Sequence, residues 1–245
     1  MTTPKLSIVI ITLNEERRLP RLLDDLLGQT WSDFEIIHVD SQSDDATVEI
    51  SRWRATDFPR YRVIKMEGRG ISRGRNTGAT AAFGERILFL DADTRLPADF
   101  LHGAMKELDA GRADLGVVCM RGDDLAWRYR AGFALFNAGI RLSSRFFPTA
   151  IGACLFSTPR LHRAIGGFDE SLSLCEDCDY ALRAFRFERG SVGVLRQKFR
   201  FDPRRLEQDG FYTTGFTYIR ANARRLMWGE LHNQEIPYEL GHYAR

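Results

Sequence analysis

The first half of the chain alternates between apolar runs and amphipathic segments. Apolar runs lie in "KLSIVIITLN", "FEIIHVDSQSDD" and "RILFLDADT", and "YRVIKME" is predicted to be a short strand. The first run is nearly continuous, which is typical of a parallel strand buried on both faces. The first intervening segment has leucines at helical spacing before Gly28, namely Leu19, Leu22, Leu23, Leu26 and Leu27. Helices are also predicted in "SDDATVEISRW" and "SRGRNTGATAAFG". This alternation predicts an α/β domain with a mainly parallel sheet flanked by helices.

The second half of the chain is less regular. It predicts a strand in "DLGVVCMR", a long helix in "LAWRYRAGFALFNAGIRLSSRFF", and a strand, a turn and a helix in "AIGACLFSTPRLHRAIGGFDE". After "FRFDPRR", the segment "LEQDGFYTTGFTYIRANARRLMWGEL" has a helical pattern. We therefore expect a C-terminal helical segment after the sheet.

Composition and charge narrow the function only slightly. The chain has 245 residues, and its net charge of +2 gives no reason to expect a nucleic-acid partner. The N-terminus does not resemble an export signal, and no stretch approaches about 18 uninterrupted apolar residues. Four cysteines are sparse for this length, which fits a reducing compartment. We expect a cytoplasmic protein whose membrane contact, if any, is peripheral and at the inner face.

Polar side chains follow three of the predicted strands. Asn14 and Glu15 follow the first, Asp40 and Ser41 the second, and Asp91 and Asp93 the fourth. The carboxyl ends of parallel strands meet at one edge of a sheet, where such folds bind ligands. The sequence therefore predicts one acidic, hydroxyl-rich site at this edge.

The pair Asp91 and Asp93 has two interpretations. Two ionised carboxylates one residue apart repel each other unless a cation lies beside them. Mg²⁺ and Mn²⁺ take one or two carboxylates together with phosphate oxygens, so this D-x-D suggests a metal–diphosphate site. On this pattern alone, an Asp-rich turn that caps the next helix is an equal alternative.

The remaining strand-end residues suit a nucleotide. Asp40 could accept a hydrogen bond from a ring N–H of a pyrimidine, and Thr12, Asn14 and Glu15 could hold the base and ribose. Ordinary turn chemistry is the alternative for all four. The basic, glycine-rich segment "GRGISRGRNTG" is suited to phosphates, but it matches neither a dinucleotide fingerprint nor a Walker loop.

Six motifs together resemble the family 2 glycosyltransferases with the GT-A fold. They are "SIVIITLNEE", "VDSQSDDAT", "GRGISRGRNTGA", "FLDADT", "GGFDE" and "CEDCDYALR", in the order and approximate spacing of that family, over roughly residues 5–190. The resemblance implies a Rossmann-like nucleotide-diphospho-sugar transferase that binds its donor across the strand ends. A C-terminal Q-x-x-R-W is absent from the sequence, which disfavours a processive polymerase.

The resemblance also implies roles for individual residues. Asp40 becomes the base contact, and Asp93 becomes the direct metal ligand for Mn²⁺ or Mg²⁺, with Asp91 reaching ribose or metal. The rest of the expected nucleotide-sugar pocket consists of Thr12, Asn14, Glu15, Arg75, Asn76 and Ala92. A UDP-sugar is the expected donor.

The resemblance also implies that the catalytic base lies in a downstream acidic pair, Glu176 and Asp177. By this resemblance Asp177 takes the proton from an acceptor hydroxyl as its oxygen attacks the anomeric carbon with inversion, and Glu176 is the alternate base. Taken without the family, "EDCDYALR" is better explained as an acidic first helical turn favoured by the helix dipole.

The leading hypothesis is an enzyme that adds one sugar to a cell-surface glycan or a lipid-linked acceptor. The alternatives are a sugar-nucleotide pyrophosphorylase, which needs a glycine-rich loop that "TLNEERRLP" lacks, and a non-catalytic nucleotide-sugar-binding module. We expect a catalytic domain over 1–203, with a nucleotide-sugar-binding half (1–115) and an acceptor half (116–203). A C-terminal helical extension then covers 204–245.

The predicted helix within 125–147 is basic and aromatic. A helical count places Arg130, Asn137, Arg141, Ser144 and Arg145 on one side, and Leu135, Phe136, Ile140, Leu142, Phe146 and Phe147 on the other. Such a helix could make a peripheral membrane contact. The more common alternative is a helix that packs its apolar side on its own domain.

Overall fold

The computed structural model describes residues 3–123, 125–172, 174–188, 190–201 and 211–230. Its strands are β1 (Leu6–Thr12), β2 (Phe34–Asp40), β3 (Tyr61–Lys65), β4 (Arg86–Asp91), β5 (Thr94–Arg95), β6 (Leu115–Arg121), β7 (Cys154–Ser157) and β8 (Val192–Phe201). Its helices are α1 (Leu19–Leu27), α2 (Thr47–Arg54), α3 (Ile71–Ala81), α4 (Phe100–Gly111), α5 (Trp127–Ser143), α6 (Pro159–Ala164), α7 (Glu176–Phe187) and α8 (Phe211–Trp228). A short 3₁₀ helix, Ala55–Asp57, follows α2.

These strands form one sheet in the order β3-β2-β1-β4-β7-β6-β8-β5. The strands β3, β2, β1 and β4 are parallel, as predicted from the alternation of strands and helices. The strand β7 is antiparallel to β4 and to β6, and β5 is antiparallel to β8. The α/β class with a mainly parallel sheet is therefore confirmed, and the sheet includes strands from both predicted halves of the chain. The expected boundary between 203 and 204 lies outside the described residues.

The core has one layer on each face of the sheet. Along β1, Ile8 and Ile10 point into the layer that contains the leucines of α1, whereas Val9 and Ile11 point into the layer beneath α3. The helix α3 approaches β1 closely because Gly74 and Gly78 face these two side chains. This two-sided burial explains why β1 is apolar at nearly every position.

The helix α5 is oriented differently from the helical count. Its buried positions are Tyr129, Phe133, Asn137 and Ile140, so the polar Asn137 and the apolar Ile140 share the buried side. Asn137 is accommodated because it exchanges two hydrogen bonds with the backbone of Met120. The alternative in which the apolar side of this helix packs on its own domain is wrong for Leu135, Leu142 and Phe146, since all three are exposed. No helix within the described residues is long and apolar enough to cross a membrane.

Candidate active site

The ends of β1, β2 and β4 lie side by side at one edge of the sheet. Thr12 pairs with Asp40 across β1 and β2, and Ile11 pairs with Asp91 across β1 and β4. Because these strands are parallel, the loops after them all leave at this edge. The predicted convergence of the polar strand ends is thus present in the structure.

A chain of buried hydrogen bonds fixes the ends of β1 and β2. Thr12 Oγ1 donates to Asp40 Oδ1 at 3.1 Å and lies 2.8 Å from His38 Nε2. On its other side, His38 Nδ1 lies 2.6 Å from Ser51 Oγ, which in turn contacts the Tyr61 hydroxyl. Burial lowers the pKa of His38 to about 4, so the ring is neutral and bridges the hydroxyls on its two sides.

Asp40 is fully buried and has internal partners on both carboxylate oxygens. Oδ2 accepts the backbone N–H of Ser43 at 3.0 Å, and Oδ1 accepts the Ser43 hydroxyl at 2.5 Å. These contacts fold the loop after β2 back over the strand end. The role of Asp40 as a base contact stays a prediction.

Asn14 and Glu15 connect the loop after β1 to the loop after β2. Asn14 adopts φ of 58°, a left-handed conformation that asparagine tolerates, and its side chain accepts the backbone N–H of Asp44 at 2.8 Å. The backbone N–H of Glu15 donates to Thr47 Oγ1 at 2.8 Å. Two of the predicted nucleotide-pocket residues therefore fix the loop after β1 against the loop after β2.

Arg75 links the two acidic motifs. Its Nη2 donates to Asp91 Oδ1 at 3.1 Å, and its Nη1 donates to Glu176 Oε1 at 2.7 Å. The side chain is almost fully buried and lies over the ring of Phe168, 5.2 Å from its centroid. Burial opposes its charge, but Asp91, Glu176 and Asp177 outweigh that effect and raise the pKa of Arg75. Arg75 thus remains a cation between the end of β4 and the start of α7.

Asp177 lies beside Glu176 in the first turn of α7. Its Oδ2 accepts the backbone N–H of Gly152 at 2.6 Å, and its Oδ1 accepts the N–H of Cys178 at 2.7 Å. Burial and the neighbouring charge of Glu176 raise the pKa of Asp177 to about 6, with Arg75 opposing them. A carboxylate with such a pKa can take up a proton near neutral pH.

The D-x-D begins at Asp91, the last residue of β4, and continues into the turn that contains Ala92 and Asp93. Asp91 and Asp93 are partly buried, and Ala92 between them is buried. No cluster of three or more His, Cys, Asp or Glu suited to a metal ion occurs among the described residues. Two hard carboxylate ligands still fit Mg²⁺ or Mn²⁺, because these ions usually complete their coordination with water and phosphate oxygens.

Asn76 contacts the "GGFDE" turn. Its Nδ2 donates to the Phe168 carbonyl and to Glu170 Oε1, both at 2.9 Å, and its Oδ1 accepts the Phe168 N–H at 2.8 Å. The family resemblance implied that Asn76 belongs to the nucleotide-sugar pocket, and that role stays a prediction. The structure shows that its amide holds the turn that carries Phe168 beneath Arg75.

The family model described as "Glycosyl transferase family 2" matches residues 7–162. This match spans β1 through α6 and so includes the strand-end site. The chain belongs to glycosyl transferase family 2.

Curated relatives of this family 2 member agree with that assignment. A PGL/p-HBAD biosynthesis glycosyltransferase of Mycobacterium bovis is 30% identical over 192 residues, which cover 76% of this chain and 71% of the relative. EpsH of Bacillus subtilis is 36% identical over 119 residues, which cover 49% of this chain and 34% of the relative. The chain spans about a third or less of the length of several curated relatives that it matches.

Solved glycosyltransferase structures share the fold. S. aureus TarS in complex with UDP-GlcNAc matches with a TM-score of 0.64 and 22% identity, covering 80% of this chain and 57% of that one. A second match is the mannosyltransferase PcManGT from Pyrobaculum calidifontis in complex with GDP-Man and Mn²⁺. Its TM-score is 0.65 at 23% identity, and the match covers 79% of this chain and 57% of that one. The GT-A fold expected from the motifs is confirmed.

Two contributors to the site of this family 2 member were missed by the sequence reasoning. Gly152 presents its N–H to Asp177, and a Cβ at Gly152 would lie 2.6 Å from Arg75 Nη2, so only glycine leaves space for that guanidinium. Phe168 supplies the ring beneath Arg75. The adjacent small residues before the strand in "IGACLFS" were the available signal, since small residues mark close approach of the backbone.

Proposed function

We propose that this protein transfers one sugar from a nucleotide-diphosphate sugar to an acceptor hydroxyl with inversion at the anomeric carbon. The observation that supports it most is the arrangement of two acidic motifs around one buried arginine. Asp91 belongs to the donor side and Glu176 to the acceptor side, and Arg75 joins them. Family membership over 7–162 supports the same reaction class.

In this proposal the donor lies across the ends of β1, β2 and β4. Asp40 and Thr12 hold the base, while Asn14, Glu15 and the D-x-D turn with Ala92 enclose the ribose and sugar. TarS and PcManGT, which share the fold, are seen with UDP-GlcNAc and GDP-Man. We take a UDP-sugar as the expected donor for this chain.

Asp93 and Asp91 would hold a divalent cation, Mn²⁺ or Mg²⁺, together with the diphosphate. When bound, such an ion stabilises the negative charge that develops on the leaving diphosphate. Arg75 fixes one carboxylate oxygen of Asp91 by an ion pair at 3.1 Å. The bound Mn²⁺ of PcManGT supports the metal assignment.

Asp177 is the proposed base. Glu176 accepts a hydrogen bond from Arg75 at 2.7 Å, whereas Asp177 accepts hydrogen bonds from backbone N–H groups of the described residues. Its raised pKa suits a group that must take a proton from a hydroxyl near neutral pH. The acceptor oxygen would attack from the side opposite the nucleotide, which inverts the anomeric configuration.

The biological setting is also part of the proposal. Glycosyltransferases among the relatives include one of PGL/p-HBAD biosynthesis, and we infer a role in making a cell-surface glycan or a glycolipid. The four cysteines are buried free thiols, which fits the reducing cytoplasm.

Substituting Asp177 tests this function directly. We expect Asp177→Asn to retain donor binding, because the residue lies on the acceptor side, and to lose transfer by at least about 100-fold, the usual contribution of a general base. Calorimetry would measure donor binding, and release of nucleoside diphosphate would measure transfer. Equal loss of both in a folded variant would contradict the assignment, and Asp179→Asn in the same helix, where Asp179 pairs with Arg183, serves as the control.

A further inference from the structure

The exposed side of α5 is an apolar stripe. Trp127, Ala131, Leu135, Ala138 and Leu142 recur every three or four residues, and all are exposed. Trp127, Leu135 and Leu142 are 75–80% exposed. The buried side of the helix, which contains Phe133 and Ile140, faces away from this stripe. Large apolar side chains aligned in this way mark an interaction surface, because soluble proteins rarely expose them together.

The helix α8 has a similar exposed side. Phe216, Arg220, Ala223 and Met227 recur at spacings of four, three and four residues, and all are exposed. Leu226 next to them is also exposed. Ala221, by contrast, is fully buried against Leu174, Cys175 and Cys178. The helix is thus anchored by one side and presents apolar side chains on the other.

The helix α8 contacts the segment that follows α5. The guanidinium of Arg225 in α8 lies 5.4 Å from the ring centroid of Phe147, just beyond α5. Arg225 is buried and forms an ion pair with Glu230 at 2.6 Å. Phe146 and Leu226, the neighbours of the two contacting residues, are exposed. We call the exposed side chains of α5 and α8, with Phe146, the two-helix face.

The charge of the two-helix face is of one sign. Segments 125–147 and 211–228 contain seven arginines and no Asp or Glu; the arginines are Arg128, Arg130, Arg141, Arg145, Arg220, Arg224 and Arg225. The first five of these are exposed. Arginine side chains can extend their cationic ends to phosphate groups while their stems cover apolar surface. An apolar stripe bordered by arginines is complementary to a surface that has anionic groups above an apolar interior.

We propose that the two-helix face binds the surface of an anionic phospholipid membrane. Two copies of this chain meeting through the same face would bring arginines against arginines, which disfavours a symmetric dimer there. Anionic headgroups complement the arginines, and the acyl region accommodates Trp127, Leu135 and Leu142. This docking brings the membrane close to the start of α7, because Ala221 packs on Cys175 and Cys178, which flank Glu176 and Asp177.

Co-sedimentation with vesicles tests the proposal. We expect the full chain to bind phosphatidylcholine vesicles that contain phosphatidylglycerol at least tenfold more tightly than vesicles of phosphatidylcholine alone. The double variant Leu135→Asp with Leu142→Asp should bind them at least tenfold more weakly. Both residues are exposed, so the folded structure should persist, as circular dichroism would check. The matched control is Trp53→Asp, because Trp53 is equally exposed on α2 but far along the chain from the face.

Three results would overturn the proposal. The first is wild-type binding that does not depend on phosphatidylglycerol. The second is equal vesicle binding by the double variant and the wild type. The third is a wild-type protein that is a dimer in sedimentation equilibrium and a double variant that is a monomer, when neither protein binds vesicles. Donor binding measured on the same variants should be unchanged, so failure of the transferase proposal would be seen separately.

Discussion

Arg75 shows how one side chain can organise two motifs that are far apart in sequence. Its partner Glu176 lies 101 positions along the chain, so the pairing has no local sequence signal. The sequence predicted both acidic motifs correctly as strand-end and helix-start features, because each has a local pattern. The connection through Arg75 and the supporting N–H of Gly152 could not be predicted, because both depend on tertiary packing.

Replacing Arg75 should lower both the free energy of unfolding and the transfer activity. Arg75→Met leaves two partly buried carboxylates without their cation, and we expect a loss of about 3 kcal/mol in the free energy of unfolding, with loss of transfer. Urea denaturation would measure the change in the free energy of unfolding. The control is Arg69→Met, because Arg69 forms an exposed ion pair with Asp44, which should cost at most about 1 kcal/mol. Equal losses in the two variants would contradict the bridging role.

The raised pKa of Asp177 predicts the pH dependence of transfer. The base must be ionised, so kcat should fall about tenfold per pH unit below about 6 and be level above it. Glu176→Gln removes a charge that raises this pKa and should move the acidic limb to lower pH. Glu188→Gln, at the other end of the same helix, should leave it in place. If the acidic limb of the kcat–pH profile is at the same pH in Glu176→Gln as in the wild type, Asp177 is not the titrating group.

At the level of helices and strands, β1 to β4, β6 and β7 were predictable as strands, whereas β5, β8 and the direction of β7 were not. The strands β1, β2 and β4 are buried along most of their length and therefore appear as apolar runs, whereas β3 at the edge of the sheet is half-buried. The two-residue strand β5 and the antiparallel direction of β7 have no local pattern, since pairing partners decide them. The helical count for α5 was wrong because Asn137 satisfies its amide on the Met120 backbone and so can be buried.

The close packing of α3 on β1 makes a prediction of its own. A Cβ at Gly78 would overlap the side chain of Val9, so we expect Gly78→Ala to destabilise the protein by about 1–3 kcal/mol, as over-packing does. Gly139→Ala in α5 is the control, because a Cβ there meets nothing within 4 Å. That change should be neutral or stabilising by up to about 1 kcal/mol. Thermal melting would compare the two, and matching melting temperatures would refute the close-packing account.

In the molecule as a whole, the proposed site residues come from distant parts of the sequence. The donor-side residues follow β1, β2 and β4, whereas Gly152 precedes β7 and the acidic pair begins α7. The backbone N–H of Asp91 donates to the Ala153 carbonyl at 3.1 Å, which ties the D-x-D turn to the segment that contacts Asp177. Donor binding and proton transfer are thus assigned to neighbouring parts of one continuous edge.

The most direct test of the account is donor binding. Calorimetric titration of UDP-, GDP- and dTDP-sugars, with and without Mn²⁺, would compare the wild type with Asp93→Ala. We expect one of the nucleotide sugars to bind, Mn²⁺ to strengthen its binding, and Asp93→Ala to weaken its binding at least tenfold. Absence of binding to all three by the folded wild-type protein would contradict the central claim that these strand ends hold a nucleotide-diphosphate sugar.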